Sequence, residues 1–188
     1  VGPEEVREAV LEASAALFAD RGVDQVSLRD IAEAADIQLP LIRRYIGVRQ
    51  VLVDTVFERL NEQVVHYITA NPLAQFEYGR DTILGRWMAM LTYYALRGQT
   101  PPSSEAHPIY ALGVIFERAF GTDPDVARRR AAQVTAISIG WRLAEDYLVA
   151  AAATDDVGID SLRGDLNAIQ RQIGATTWPT PTPGSAPA

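Results

Sequence analysis

A chain of 188 residues with 48% apolar side chains is long enough for one large domain, or a small one joined to a medium one, around a real core. Its net charge is −7 and it contains no cysteine, which excludes disulfides, thiolate nucleophiles and cysteine-based zinc sites. No apolar run approaches the ~20 residues a membrane span needs, and the acidic start VGPEEVREAV lacks the basic and apolar regions of a signal peptide, so a cytoplasmic location and no membrane partner are the expectation.

Pro3 followed by Glu4 and Glu5 suits a helix start, because proline is tolerated at the first helical position and acids favour the positive end of the helix dipole. Val6, Val10, Ala13, Leu17 and Phe18 recur at helical spacing until Gly22, predicting a first helix over roughly 4–20. Ser27 is a good N-cap for a short second helix carrying Leu28, Ile31 and Ala32. After Ala35-Asp36-Ile37 comes a third helix, with Pro40 in its first turn and its end near Ile46. Two short helices joined by so tight a turn make a helix-turn-helix, closed by Ile31, Ala32, Ala35, Ile37, Ile42 and Ile46 against the first helix. Ile42 and Ile46 share the buried face, which points Arg43 and Arg44 elsewhere. Between Ile37 and Val53 stand Arg43, Arg44 and Arg49 and no acid, a local basic segment in an acidic chain.

Leu52, Val56, Leu60 and Val64 mark one stripe of a fourth helix ending at about Ala70. A long amphipathic stretch, about 75–97, carries Phe76, Ile83, Leu84, Trp87, Met90, Leu91 and Tyr94. Gln99-Thr100-Pro101-Pro102-Ser103-Ser104 reads as a loop, and Ile109, Leu112, Phe116 and Phe120 as another helix ending near Gly121. Thr122-Asp123-Pro124-Asp125 opens a helix to about Ala152, whose middle is rich in small residues (Ala131, Ala132, Ala136, Ser138, Gly140, Ala144) that allow close helix packing. The last helix, about 160–173, places Ile159, Leu162, Leu166, Ile169 and Ile173 on a narrow coiled-coil-like seam. The Pro/Thr-rich end TTWPTPTPGSAPA reads as a flexible tail. No stretch alternates with the period of a strand. The expected fold is all-α: a small N-terminal three-helix helix-turn-helix unit (1–48), a larger helical domain (49–174) and a tail (175–188).

Leu17-Phe18 and Gly22, Ser27-Leu28-Arg29-Asp30-Ile31-Ala32, Ala34-Ala35-Asp36-Ile37, Leu41-Ile42, and Arg49 with Leu52 together form a specific constellation that resembles the tetracycline-repressor (TetR) family of bacterial transcription regulators. The remainder agrees with that family in helical layout and length. The family usually has Gly at the position of Asp36, Ser or Thr at Gln38, often Gly at Pro40, Thr at Leu41, Tyr at Arg43 and Phe at Ile46. Gln38 is a poor N-cap, and Pro40 offers partial compensation through its fixed φ.

The resemblance implies a homodimer that binds a near-palindromic double-stranded DNA operator, with half-sites ~34 Å or more apart. The third helix would enter the major groove, with Gln38, Leu39, Pro40 and Leu41 facing bases, Arg44 reaching bases, and Arg43 and Tyr45 on phosphate. Ser27 and Arg49, at the starts of the second and fourth helices, would hold the flanking backbone, and Arg29 would join the DNA-binding residues. Global acidity is no objection, because phosphate binding depends on local charge. Ala136, Gly140, Leu162, Leu166 and Ile169 would form a four-helix bundle across the two-fold axis. Trp87, Met90, Tyr93, Tyr94, Tyr110, Phe116 and Trp141 are the large residues available to line a pocket for an apolar or aromatic effector that releases a repressor from its operator. The alternative is a helix-turn-helix regulator without a small effector, controlled by a protein partner, for which a collapsed C-terminal core would speak.

An enzyme finds no support. Glu117 and Glu145-Asp146 are the inviting acids of the second domain, but adjacent helical residues do not face each other, and no nucleophile, base or phosphate loop accompanies them. His66 and His107 lack the short spacing that puts two imidazoles on one metal, so neither a metal nor a cofactor is expected.

Overall fold

The computed structural model describes residues 2–72, 79, 81–102, 107–151 and 159–175, and among these it is entirely helical. Helix α1 (Pro3–Arg21) is followed by a 3-10 turn (Val23–Gln25), then α2 (Leu28–Ala34), α3 (Leu39–Tyr45), α4 (Arg49–Ala70), α5 (Ile83–Leu96), α6 (Pro108–Phe120), α7 (Pro124–Ala151) and α8 (Ile159–Ala175). Proline starts α1, α6 and α7, where its missing N–H is one the helix would leave unpaired anyway. Asp123 accepts hydrogen bonds from the backbone N–H groups of Asp125 (2.9 Å) and Val126 (3.3 Å), as its sequence position before Pro124 implies. Gly121, at φ 61°, supplies the left-handed residue that ends α6. None of the described helices is long and apolar enough to cross a membrane.

One boundary differs from expectation. The helix read over 75–97 begins only at Ile83, because Thr82 caps it: the Thr82 hydroxyl accepts from the Gly85 N–H (3.0 Å) and donates to the Gly79 carbonyl (2.8 Å). The Gly79 carbonyl folds so closely over this turn that a Cβ on Gly85 would lie 1.9 Å from its oxygen. Amphipathic spacing alone does not reveal such a cap. Phe76, Ser103, Ser104 and the tail 176–188 lie outside the described residues.

The buried apolar side chains form one contiguous cluster that runs from Val6 of α1 to Val134 of α7. Within it Val10, Ile31, Ile42, Leu52, Val56 and Met90 are fully buried. The short helices α2 and α3 pack on α1, and α1 in turn packs on α4 and α5; α6 and α7 lie side by side, with α8 against both.

Polar contacts tie the first three helices to the rest. Arg59 of α4 makes a two-pronged bond to Glu8, and Arg86 of α5 reaches Glu12 (2.6 Å). Arg97 at the end of α5 pairs with Asp24, and Arg142 of α7 donates to the Ala19 carbonyl at 3.0 Å. Exposed ion pairs of this kind contribute about 1 kcal/mol or less each, so apolar packing carries most of the junction.

Candidate nucleic-acid interface

The second helix starts where Ser27 and Asp30 cap each other. The Ser27 hydroxyl accepts from the Asp30 N–H (3.2 Å), while the Asp30 carboxylate accepts from the Ser27 N–H (2.7 Å) and hydroxyl (2.6 Å). These bonds hold the Asp30 carboxyl below its ordinary pKa. They also commit the hydroxyl proton of Ser27, leaving its exposed side chain able to serve a phosphate only by exchanging Asp30 for it.

The turn after α2 is a Schellman motif. Ile37 N–H donates to the Ala32 carbonyl (2.9 Å), Asp36 N–H to that of Glu33 (3.2 Å), and Asp36 sits in left-handed geometry at φ 53°. The position where the family usually has Gly is therefore a backbone site that glycine fits without strain, and Asp is among the few other residues that tolerate it. Ile37 packs against the core from this turn, fixing the angle between α2 and α3.

Helix α3 has no side-chain cap at Gln38; the turn closes instead through the Leu41 N–H, which donates to the Gln38 carbonyl at 2.9 Å. Pro40 lies in the first turn, where it interrupts no hydrogen bond. Ile42 (0% exposed) and Ile46 (8%) anchor the inner face, and Leu39, Leu41 and Tyr45 are half-buried beside them. Gln38, Pro40, Arg43 and Arg44 are exposed, and Arg29 of α2 is exposed as well. The Arg44 guanidinium lies 5.4 Å from the centroid of the Tyr45 ring. Among the described residues neither Arg43 nor Arg44 forms an ion pair.

Arg49 is turned differently from the expectation. Its Nη2 donates to the Val23 carbonyl, its guanidinium lies 5.9 Å from the Phe18 ring centroid, and its Nη1 is buried without a partner. The side chain therefore staples the start of α4 to the end of α1 rather than reaching outward. Its place one turn before Leu52, which anchors α4 in the core at 0% exposure, brings the guanidinium over that apolar floor.

The large residues expected around an effector do not converge. Val64 and Ile68 of α4, Leu84, Trp87 and Met88 of α5, Pro108 and Leu112 of α6, and Val134, Thr135 and Ser138 of α7 line an apolar cavity of about 30 Å³. Only Trp87 among the expected residues belongs to it. Met90 and Tyr94 are buried nearby in the core, Tyr94 edge-on to Phe57 and Tyr93, with its hydroxyl donating to Asp54 (2.6 Å). Burial and that bond push the Tyr94 phenol above its ordinary pKa. Phe116 packs on Phe120, Tyr110 is 57% exposed, and Trp141 donates to Glu145 at 2.9 Å. Spacing along a helix does not say which neighbour fills the space in front of each ring. A cavity of this size holds about one water molecule.

Of the residues expected at a dimer seam, Ala136 and Gly140 are exposed on α7, Ile169 is 49% exposed on α8, and Leu162 and Leu166 are half-buried. Leu143 (54%) and Tyr147 (73%) extend the exposed stripe along α7. A Cβ added at Gly140 would meet nothing within 4 Å. Between α7 and α8 lies a buried polar layer that sequence reading did not find: Gln170 donates to Ser138 (2.8 Å), Arg130 to the Gly174 carbonyl (2.8 Å) and Arg163 to Glu145 (2.8 Å). The sequence carried a signal for it, since these polar residues fall at helical spacing among apolar ones.

The sequence profile of the bacterial regulatory proteins of the tetR family matches residues 10–49, the span from the middle of α1 to the start of α4. The HTH-type transcriptional repressor Rv3405c of Mycobacterium tuberculosis is 30% identical over 175 residues, covering 88% of this chain and 87% of the relative. The HTH-type transcriptional regulator Mb3439c of Mycobacterium bovis is similar to the same extent, 30% over 175 residues with the same coverage. The crystal structure of a tetR-family transcriptional regulator from Streptomyces coelicolor shares the fold, with a TM-score of 0.59 at 18% identity over 92% of this chain and 82% of that one. A capped α2, a left-handed Schellman turn and an outward-facing α3 on a buried isoleucine floor, together with these relatives, place the chain in the TetR family: it is a DNA-binding transcriptional regulator and not an enzyme.

Proposed function

We propose that the chain is a homodimeric repressor that reads a near-palindromic operator through α3 and is released by a small apolar effector. The observation that carries the DNA reading is the exposed α3 face, on which Arg43 and Arg44 form no ion pair among the described residues. Such a face lowers its free energy by displacing counterions from phosphate. Gln38, Pro40 and Arg44 are placed to meet base edges, with Leu39 and Leu41 offering apolar contact to thymine methyls. Arg43, Tyr45, Ser27 and Arg29 are placed for phosphate. Arg49 acts one step back: it joins α4 to the Val23 carbonyl, so a displacement of α4 carries the helix-turn-helix with it. The name of the M. tuberculosis relative as a repressor supports the sign of regulation.

The small-residue stripe of α7, with Ala136, Gly140 and Leu143 exposed, supports pairing with a second copy, and α8 adds Ile169 to the same seam. Effector action follows from the cavity's position. Its walls include Val64 and Ile68, so a ligand that selects an expanded state presses directly on α4. A coupling of ~1–3 kcal/mol between effector and operator suffices for release. The cavity's 30 Å³ favours a second reading, regulation by a protein partner with no small effector.

The DNA reading is tested by measuring operator affinity against salt for Arg43→Ala and Arg44→Ala. Loss of a phosphate contact lowers the salt slope by about 1, whereas loss of a base contact weakens the operator selectively and leaves non-specific binding in place. Wild-type affinity and slope in both variants would reject α3 as the DNA-facing helix.

A further inference from the structure

A second, open cleft of about 380 Å³ lies between the first two turns of α4 and the turn that follows α5, lined by Gln50, Asp54, Tyr94, Gln99, Thr100 and Pro102. It shares no residue with the cavity around Trp87. One wall is a Schellman turn: the Gln99 N–H donates to the Tyr94 carbonyl (3.0 Å), the Gly98 N–H donates to that of Ala95 (3.1 Å), and Gly98 is left-handed at φ 61°. That turn carries Gln99 and Thr100 into the lining.

Among the described residues, Asp54 is the one charged side chain of the lining. It is half-buried, and its Oδ1 accepts from both the Tyr94 hydroxyl (2.6 Å) and the Gln50 side-chain amide (2.8 Å). Tyr94 is itself buried, so the carboxylate is held from the core side. Burial, the bond to Asp54 and the nearby charge of Glu58 push the Tyr94 phenol above its ordinary pKa, which keeps it a donor. Asp54 forms no ion pair among the described residues, and its Oδ2 accepts no bond from them. Arg97, in the turn after α5, is committed to Asp24 and lies 4.4 Å from the Tyr93 ring centroid. A carboxylate fixed by two donors and lacking a counterion attracts a cation, and the negative end of the α5 dipole acts in the same direction.

The remaining groups select among cations. With its amide nitrogen bound to Asp54, Gln50 offers a carbonyl oxygen, and Gln99 and Thr100 add further acceptors. A primary ammonium has three N–H donors to meet them, whereas a quaternary ammonium has none and is held instead by aromatic faces. Tyr94 is the one aromatic residue of the described lining, and its ring is already packed edge-on to Phe57 and Tyr93. We infer that the cleft binds a small polar molecule bearing a primary ammonium, and that Asp54 Oδ2 pairs with its charge. Gln50 and Asp54 belong to the first two turns of α4, so the site adjoins the helix start that Arg49 ties to the DNA-binding unit.

The test titrates three probes built on one hydroxyethyl group, ethanolamine, ethylene glycol and choline, into the full chain at neutral pH and constant ionic strength. Binding is followed through the backbone amides of Gln99 and Thr100 and the side-chain amide of Gln50 in ¹⁵N-labelled protein. Ethanolamine should bind about tenfold more tightly than either other probe, the ratio expected of a charge-assisted hydrogen bond. Asp54→Asn keeps an oxygen for the Tyr94 hydroxyl, and in it the affinity for ethanolamine should fall to that for ethylene glycol. Resonances unmoved by ethanolamine, equal binding of choline, or unchanged affinity in Asp54→Asn would overturn the assignment. If that variant does not fold, the ranking of the probes and the resonances they move in the wild type still decide. None of these outcomes bears on the apolar effector, whose cavity lies elsewhere.

Discussion

In α1, α2 and α3 the buried side chains are apolar except Ser14, whose hydroxyl donates to the Val10 carbonyl, whereas α7 and α8 bury Arg130, Glu145, Asn167 and Gln170 and expose Leu143, Tyr147 and Ile169. The first arrangement suits a small unit that must hold one shape: apolar packing fixes α3 and leaves Arg43 and Arg44 on its exposed face. The second suits a helix pair with two jobs. Its polar layer fixes how α7 and α8 align with each other, because a shifted register would strand buried donors and acceptors. Its apolar stripe then faces out, where only a further surface can cover it.

Gly140→Arg should have the largest effect, because it attacks the outer stripe while leaving the interior alone. Space beside Gly140 is open, so the monomer should keep its fold and helix content. Operator affinity should fall by about 100-fold or more, the avidity that two linked half-site contacts supply. Sedimentation checks the cause: a variant that still runs as a dimer would remove this stripe from the interface.

The two interiors should respond differently to substitution. Ile42→Ala empties a fully buried position in the apolar unit and should cost about 2–5 kcal/mol in chemical denaturation. Ser138→Ala combined with Gln170→Leu removes both partners of a buried hydrogen bond and should stay within ~1 kcal/mol of wild type. If the double variant loses as much as Ile42→Ala, the polar layer contributes stability outright and the contrast between the regions fails.

The smallest change concerns the turn between α2 and α3. Asp36→Gly should stabilise the chain by about 1 kcal/mol, since glycine adopts the φ of 53° without the Cβ conflict. An unchanged or lowered melting temperature would show that the Asp36 side chain supplies a compensating contact.

The helix-turn-helix was legible because its determinants are local. Ser27 three residues before Asp30, Ile42 four before Ile46, and Pro40 in a first turn state their roles through spacing along one helix, and the structure places each as spacing implies. The start of α5 was not legible from amphipathic spacing, because it is set by the Thr82 cap, whose hydroxyl bonds both the Gly85 N–H and the Gly79 carbonyl folded over this turn. The inward turn of Arg49 was not legible for a related reason: its partner, the Val23 carbonyl, lies 26 residues away in the chain. Asn61 interrupts the apolar stripe of α4 in plain view, yet only the structure shows that the Trp87 indole donates to its amide oxygen.

The sequence by itself determined the all-helical class, the helix-turn-helix and the basic face of α3, because hydrophobic period, caps and local charge act over a few residues. Tertiary structure alone decided which aromatic rings meet, that the central cavity has room for about one water molecule, that Arg49 turns inward, and which small residues of α7 remain uncovered. Those outcomes depend on distances between helices far apart in the chain, and no spacing along a single helix encodes them.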